Sequence, residues 1–101
     1  MSELYTIFCR DRAESKTDRM ANLADHLAHM ETVLDRVSLA APLRDEGEGF
    51  TGSLLVISAA SETDAREFIE RDPYYKIGIW ERIEIDRLGM AAGAWVGGKP
   101  W

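Results

Sequence analysis

Residues 50–61 read FTGSLLVISAAS, and this stretch decides the fold. Residues 50–57 are the most strand-like run in the chain, because large apolar and β-branched side chains pack well on a sheet. Ser61 then begins a helix, and Asp64 lies three residues later, which is the spacing of a capping box. The buried side of this helix is predicted from three spaced apolar residues, Ala65, Phe68 and Ile69. We therefore expect a strand followed directly by a helix that packs against the sheet.

Three further strands are predicted around this unit. They are short runs at residues 4–9, 37–43 and 83–86. Pro42 lies near the end of the second run, a position that edge strands tolerate. Pro73 ends the helix that begins at Ser61, because the residue before a proline is disfavoured in the helical conformation.

A second helix lies between the first two strands. Its apolar residues are spaced three and four apart, at Met20, Leu23, Leu27, Met30 and Leu34. We predict that this stripe packs in the core. The start of the helix is ambiguous, because Thr17 or Asp18 could cap an early start. Asn22, followed by Asp25 in a capping-box arrangement, could instead cap a later one.

The element order β-α-β-β-α-β predicts an α+β, ferredoxin-like fold: a four-stranded antiparallel sheet with two helices on one face. Because the other sheet face then lacks a cover, we predict a homodimer in which two sheets pack face to face. Residues 1–88 form the predicted domain. Residues 89–101 form a tail rich in glycine, in which Trp95 and Trp101 are expected to pack on the dimer partner.

Composition restricts the classes of partner. The chain of 101 residues has 12 Lys and Arg against 18 Asp and Glu, a formal net charge of -6, and we expect no nucleic-acid partner because an acidic surface repels phosphates. Cys9 is the single cysteine, which excludes an internal disulfide. The apolar runs are shorter than a bilayer span and no signal region is found, so we predict a cytoplasmic protein without a membrane partner.

His26 is the stronger candidate of the two histidines for chemistry. At about 100° per residue it lies at the border of the apolar stripe, whereas His29 falls on the solvent side. A partly buried imidazole that reaches a cleft can act as a general base. The alternative is that His26 only borders the core and makes a backbone hydrogen bond.

Asp72, Tyr74 and Ser53 are the other candidates. Pro73 holds Asp72 in an extended conformation, and its carboxylate could orient a histidine ring, or it could be an ordinary surface residue. Tyr74 could line a pocket for a flat ligand or belong to the core. Gly52 in mid-strand allows a close approach to the backbone, where Ser53 could donate a hydrogen bond to a ligand.

Cofactor and metal motifs are missing from the sequence. His26 and His29 lack an identifiable third ligand, and the zinc-enzyme pattern His-Glu-x-x-His is absent. The glycines do not have the spacing of a phosphate-binding loop. We therefore expect no metal and no cofactor.

The chain resembles the YciI-like (YCII-related) family over about residues 3–88. The elements of the resemblance are residues 4–9 with the Asp-containing loop that follows them, Arg19, residues 26–30, 41–43 and 49–55, and the run 72–74 with Gly78 and Glu81. The resemblance implies a dimeric ferredoxin-like domain with a His–Asp pair at His26 and Asp72 and with Ser53 beside it. Arg19 and Tyr74 are expected to join Ser53 in binding the substrate.

Two departures from the family pattern stand out. Leu23-Ala24 replaces the usual Arg-Pro just before the histidine region, and Ala41-Pro42 replaces Gly-Pro. An arginine that binds an anionic substrate in relatives would therefore be absent here.

The resemblance, together with the missing cofactor motifs, predicts a cofactor-independent lyase or isomerase that moves a proton on a small aromatic or enol-type substrate. It implies similarity to a dehydrochlorinase of chloroaromatic degradation and to the fold of muconolactone isomerases. Two alternatives stay open: a small-ligand or haem-binding module with His26 as axial ligand, and a non-catalytic dimeric domain whose pocket is filled by side chains.

Overall fold

A computed structural model describes residues 2–98. The strands are β1 (Glu3–Asp11), β2 (Val37–Arg44), β3 (Phe50–Ala59) and β4 (Trp80–Arg87). The helices are α1 (Lys16–Ala21), α2 (Leu23–Val33), α3 (Glu62–Glu70) and α4 (Pro73–Lys76), with short 3-10 turns at Leu34–Arg36 and Ala94–Val96. All strands join one antiparallel sheet in the order β2-β3-β1-β4, which confirms the predicted ferredoxin-like α+β fold.

The core lies between one face of the sheet and the helices. Ile7, Leu55 and Ile57 point from the central strands into it, and Phe68 and Ile69 meet them from α3. Ser61 caps α3 as predicted, because its hydroxyl oxygen accepts a hydrogen bond from the Asp64 backbone N–H. The second bond of the capping box differs, since the Asp64 carboxylate accepts from the Ala60 N–H and not from that of Ser61. The predicted buried residues of this helix are confirmed.

The region predicted as one helix contains two, α1 and α2, which meet at Asn22. The Asn22 side-chain amide donates to the Asp18 carbonyl at 2.9 Å, and the Asn22 backbone N–H donates to the same oxygen. An asparagine side chain that bonds the carbonyl four residues earlier competes with the helical hydrogen bonds, which favours a break at this position. The expected capping box at Asn22 is wrong, since its side chain makes no capping hydrogen bond.

The prediction that the apolar stripe of this region packs in the core is also wrong. Only Met30 is buried, whereas the other members are 37% to 59% exposed: Met20, Leu23, Leu27 and Leu34. These side chains face a cavity between the helices and the sheet, as described below.

The second sheet face lacks the dense packing of the first. Leu4 and Phe8 of β1 and Leu54 of β3 point to this face and are only half-buried. Its β4 side is charged, with Glu84 paired to Phe8 and Asp86 paired to Thr6. None of these side chains belongs to the core cluster.

The last described residues form a small loop closed by hydrogen bonds between Gly93 and Gly98. Trp95 at its tip is 86% exposed. Trp101 lies outside the described residues, so the predicted packing of the tail on a partner stays a prediction. Within residues 2–98, every helix lacks the length and apolar composition of a membrane-spanning segment.

Candidate functional site

A cavity of about 350 Å³ lies between the first two helices and strands β2 and β3. This volume is within the range of small-molecule sites. Its helical side is the apolar stripe of α1 and α2, and its sheet side includes Ala40, Pro42, Phe50 and Leu55. Four residues with polar groups border it, Arg19, His26, Ser53 and Tyr74. A mostly apolar hollow with a few convergent polar groups is the usual form of a ligand site.

His26 and Asp72 form a hydrogen-bonded pair at the side of the cavity that carries the polar groups, which we call the polar wall. His26 lies in the first turn of α2, and its Nδ1 is 3.0 Å from Oδ1 of Asp72. The His26 side chain is 19% exposed and borders the cavity, whereas the Asp72 side chain behind it is 2% exposed. The fold therefore brings together two residues that are 46 positions apart in the chain.

Asp72 is fixed by its place before Pro73. Its backbone is extended, as predicted, and its Oδ1 also accepts the backbone N–H of Tyr74 at 2.9 Å, which caps α4. Its second oxygen, Oδ2, is buried and has no hydrogen-bond partner among the described residues. The carboxylate is thus held by two donors on one oxygen.

Tyr74 packs against the imidazole of the His26–Asp72 pair. Its ring stacks on the His26 imidazole with centroids 4.1 Å apart and planes 8° apart. The residue has no exposed surface, and its hydroxyl donates to the Arg19 carbonyl at 3.2 Å. Burial raises the pKa of the Tyr74 phenol, so the hydroxyl stays protonated and remains a donor. Although Tyr74 borders the cavity, its buried position suits holding the imidazole better than touching a ligand.

Arg19 is buried and paired with Asp11. Its Nε and Nη2 donate to the two carboxylate oxygens of Asp11 at 3.0 and 2.9 Å, and the two side chains are 7% and 3% exposed. The guanidinium also lies 5.2 Å from the ring centroid of Phe50 and 5.0 Å from that of Tyr74. Asp11 is not among the site residues that the sequence predicts. The sequence predicts a strand that ends at residue 9 and places Asp11 in the charged loop after it, whereas β1 extends to Asp11, which pairs with Arg19.

Ser53 completes the polar wall. Its Oγ accepts a hydrogen bond from Arg19 Nη2 at 3.1 Å, and the same nitrogen donates to the Gly52 carbonyl. Gly52 is required for a different reason from the one expected. The group that approaches its backbone is the carbonyl of Cys9 on β1, with which an added Cβ would collide.

Two other residues lie apart from this wall. The predicted position of His29 on the solvent side is wrong, because the residue is half-buried and its Nε2 is buried without a partner among the described residues. Cys9 is fully buried, and burial raises its pKa to about 12, so its thiol is not a nucleophile near neutral pH. Within residues 2–98, no three His, Cys, Asp or Glu side chains come close enough to share a metal ion.

The fold and the site together define a class: a ferredoxin-like domain that carries a His–Asp pair at the wall of an apolar cavity. The YCII-related domain matches residues 3–88 of the chain. The chain belongs to this family.

Two relatives are similar in sequence to this chain over most of their length. Protein YciI of Escherichia coli O6:H1 is 31% identical over 90 residues, which cover 81% of this chain and 92% of the relative. Derivative of benzaldehyde biosynthesis cluster protein C of Emericella nidulans is 35% identical over 89 residues, which cover 77% of this chain and 91% of the relative.

Two solved structures are similar. The first is 5-chloro-2-hydroxyhydroquinone dehydrochlorinase (TftG) of Burkholderia phenoliruptrix AC1100 in complex with 2,5-dihydroxybenzoquinone, with a TM-score of 0.80 and 30% identity over 91% of this chain and 97% of that one. The second is a NIPSNAP family protein of Agrobacterium tumefaciens, with a TM-score of 0.54 and 14% identity over 87% and 84% of the two chains. The second likeness concerns the fold alone.

Proposed function

We propose that the chain is a cofactor-independent enzyme in which His26 and Asp72 move a proton on a small aromatic or enol-type substrate. The observation that carries this proposal is the 3.0 Å contact between Nδ1 and Oδ1 at the wall of an apolar cavity. The similarity to a dehydrochlorinase supports the lyase class, and isomerase chemistry would use the same first step. The open cavity does not fit a purely structural domain, for which a pocket filled by side chains is expected.

The pair determines which imidazole nitrogen meets the substrate. An ionised carboxylate only accepts hydrogen bonds, so with Asp72 ionised the proton of the neutral imidazole lies on Nδ1. Nε2 then carries the lone pair. Because Nδ1 is occupied by Asp72 and the His26 side chain borders the cavity, Nε2 is the nitrogen available as general base. Asp72 orients the ring and stabilises the imidazolium that forms.

The proposed reaction balances without an external oxidant or reductant. Nε2 takes a proton from a C–H or O–H group of the substrate, and the electron pair left behind moves into the ring or onto its oxygen. In a dehydrochlorination the imidazolium first returns its proton to the ring carbon that bears chlorine, which makes this carbon tetrahedral. Nε2 then takes a second hydroxyl proton, the electron pair of that oxygen forms a C=O bond and chloride leaves, and the imidazolium releases this proton to solvent. In an isomerisation the imidazolium returns the proton to a different atom of the same substrate.

Ser53 and Arg19 would stabilise the negative oxygen formed in this step. Because the Ser53 oxygen already accepts from Arg19, its own O–H remains free to donate to a ligand. A donor placed where charge develops accelerates such reactions, and removal of one donor commonly costs about 100-fold or more in rate. Tyr74 acts as a positioning residue, since its ring backs the imidazole.

The test measures chloride release from 5-chloro-2-hydroxyhydroquinone and deuterium exchange into the ring of hydroxyhydroquinone, followed by NMR under nitrogen. We expect His26→Gln to lower both rates by about 100-fold or more, the usual contribution of a general base. His29→Gln, on the same helix but outside the pair, is the matched control and should keep both rates. The rates of Asp72→Asn should lie between those of the two histidine variants. Circular dichroism verifies that each variant is folded.

Full activity of His26→Gln would eliminate the His–Asp mechanism. A wild-type protein that catalyses neither reaction would remove this substrate class from the proposal. Equal loss in both histidine variants would point to a general structural defect and would also contradict the assigned roles.

We propose in addition that the chain forms a homodimer through the exposed sheet face. The half-buried apolar residues Leu4, Phe8 and Leu54 support this interface, because a second copy of the same face would cover them. The charged β4 side would form the polar rim of such an interface.

Sedimentation equilibrium at micromolar concentration tests the dimer. Leu54→Lys on the sheet face should yield monomers, whereas Leu27→Lys, which adds the same charge on the helical side, should leave the dimer intact. A monomeric wild-type protein, or dissociation by Leu27→Lys alone, would refute this interface.

A further inference from the structure

We propose that the cavity selects uncharged phenol- or enol-type rings over rings that carry a carboxylate, and that Leu23 is the residue that sets this selectivity. This inference deepens the proposed function and rests on it, because it concerns the same cavity and assumes the neutral imidazole that a general base requires.

The argument begins with the cations available to a ligand. Among the described residues that border the cavity, Arg19 is the one with a permanent positive charge. Its guanidinium is already paired through two hydrogen bonds with the carboxylate of Asp11, and both side chains are buried. Such a pair is neutral as a unit and is little screened by water. Arg19 Nη1 has no acceptor among the described residues, so it can still donate a hydrogen bond to a ligand. Because the Arg19–Asp11 pair is neutral, this donor brings no net positive charge to the cavity.

The proposed mechanism requires an ionised Asp72 and a neutral His26. With these charge states, the described lining residues and the two carboxylates paired with them carry one positive charge, on Arg19, and two negative charges, on Asp11 and Asp72, so the net charge is negative. Asp72 Oδ2 is buried and has no partner among the described residues. Arg44 also contacts the ring of Phe50, but Arg44 is exposed and does not border the cavity.

A carboxylate that enters would thus meet like charge inside an apolar lining, where electrostatic interactions are stronger than in water. An uncharged ring meets no such penalty and gains from the apolar helical side. The donors that remain, the Ser53 hydroxyl and Arg19 Nη1, fit a neutral carbonyl or hydroxyl oxygen.

Leu23 lies where a cation would change this balance. It is the first residue of α2, borders the cavity and is 37% exposed, so a longer side chain can be accommodated without filling the core. An arginine there can keep its stem on the apolar rim and place its charged head at the mouth of the cavity. Ala24 follows it, is exposed and does not border the cavity, which makes it a matched control position.

The experiment compares 4-hydroxybenzamide with 4-hydroxybenzoate, which have nearly the same shape but differ by one charge at pH 7. Dissociation constants are measured by titration calorimetry. We expect the wild-type protein to bind the amide at least about tenfold more tightly, which corresponds to ~1.4 kcal/mol. Leu23→Arg should abolish or reverse this ratio, whereas Ala24→Arg should leave it unchanged.

Equal or tighter binding of the carboxylate by the wild-type protein would overturn the proposal, as would failure of the amide to bind. Equal effects of Leu23→Arg and Ala24→Arg would overturn the role of Leu23. His26→Gln separates this inference from the proposed function. This variant keeps the same net charge at the wall, so it should retain the preference for the amide even though proton transfer is lost.

Discussion

Helices α2 and α3 occupy corresponding places in the two halves of the fold, and their sequences have similar apolar spacing. On α3 the apolar residues Ala65, Phe68 and Ile69 are buried against the sheet. On α2 only Met30 is buried, and Leu23 and Leu27 face a cavity instead. The same pattern can therefore mark a core contact or the wall of a ligand site.

The two halves also differ in how they are held together. Apolar packing fixes α3, whereas polar and backbone contacts fix the cavity wall: the Arg19–Asp11 pair, the His26–Asp72 pair and the close approach of Gly52 to β1. This comparison can be tested by substitutions in each half.

Gly52→Ala should have the largest effect on stability. Its Cβ would collide with the Cys9 carbonyl, a backbone atom that cannot move without disturbing the sheet. We expect a loss of about 4 kcal/mol or more in the free energy of unfolding, measured by urea denaturation. Gly89→Ala is the control, because its Cβ would meet no heavy atom within 4 Å. Similar stability of the two variants would show that the cavity wall is not held as described.

Asp11→Asn should cause the second-largest loss in the free energy of unfolding. It leaves the buried guanidinium of Arg19 without its counter-charge, which we expect to cost about 3–5 kcal/mol. Asp18→Asn breaks an exposed pair with Arg12 and should cost less than about 1 kcal/mol. Chemical denaturation of both variants provides the comparison, and a small loss for Asp11→Asn would mean that polar contacts contribute little to this half.

Ile69→Ala and Leu27→Ala compare the two helices directly. Ile69 has no exposed surface, so its truncation should cost about 2–5 kcal/mol. Leu27 is 53% exposed, and its truncation should cost less than about 1 kcal/mol. If the two losses measured by thermal or urea unfolding were equal, α2 would be packed like α3 in solution.

Alkaline pH should give the smallest effect. Burial raises the pKa of Cys9 from 9.0 to about 12, so the unfolded chain loses this proton before the folded one does. The stability from this group is complete below pH 9 and is lost as the pH rises towards 12, by at most about 1.4 kcal/mol per pH unit.

Urea midpoints at pH 8, 9 and 10 measure this slope. Cys9→Ala removes the contribution of the thiol and should give a flatter curve above pH 9. An unchanged slope in that variant would assign the alkaline sensitivity to Tyr74, whose pKa burial also raises.

The sequence predicted the fold well because its signals are local. The strand at residues 50–57, the Ser61 cap and the proline after Asp72 each act within a few residues, and each is found in the structure. The helices around Asn22 show the limit of such signals. The sequence allows an early or a late helix start, and the structure has a helix at each place, but α1 begins after Ser15 and neither Thr17 nor Asp18 caps it.

The site could be predicted only in part, because its geometry is long-range. Spacing on α2 places His26 at the border of the stripe, and Pro73 marks Asp72 as a carboxylate that could orient a histidine ring, but only the family resemblance pairs the two residues. No local pattern indicates that Asp11 pairs with Arg19, or that the leucines of α2 border open space. Periodicity records which face of a helix is apolar, and it does not record whether protein or a ligand covers that face.

Asp72 Oδ1 accepts two hydrogen bonds that have different consequences. The bond from the imidazole orients the proposed catalytic base, and the bond from the Tyr74 N–H caps α4. Replacement by alanine would loosen the turn and release the ring at the same time. A genetic screen that measures cellular abundance would then identify Asp72 as a residue needed for folding and would not detect its role in orienting the imidazole. Designers who wish to redirect the site should keep an acceptor oxygen at this position and vary the rim of the cavity instead.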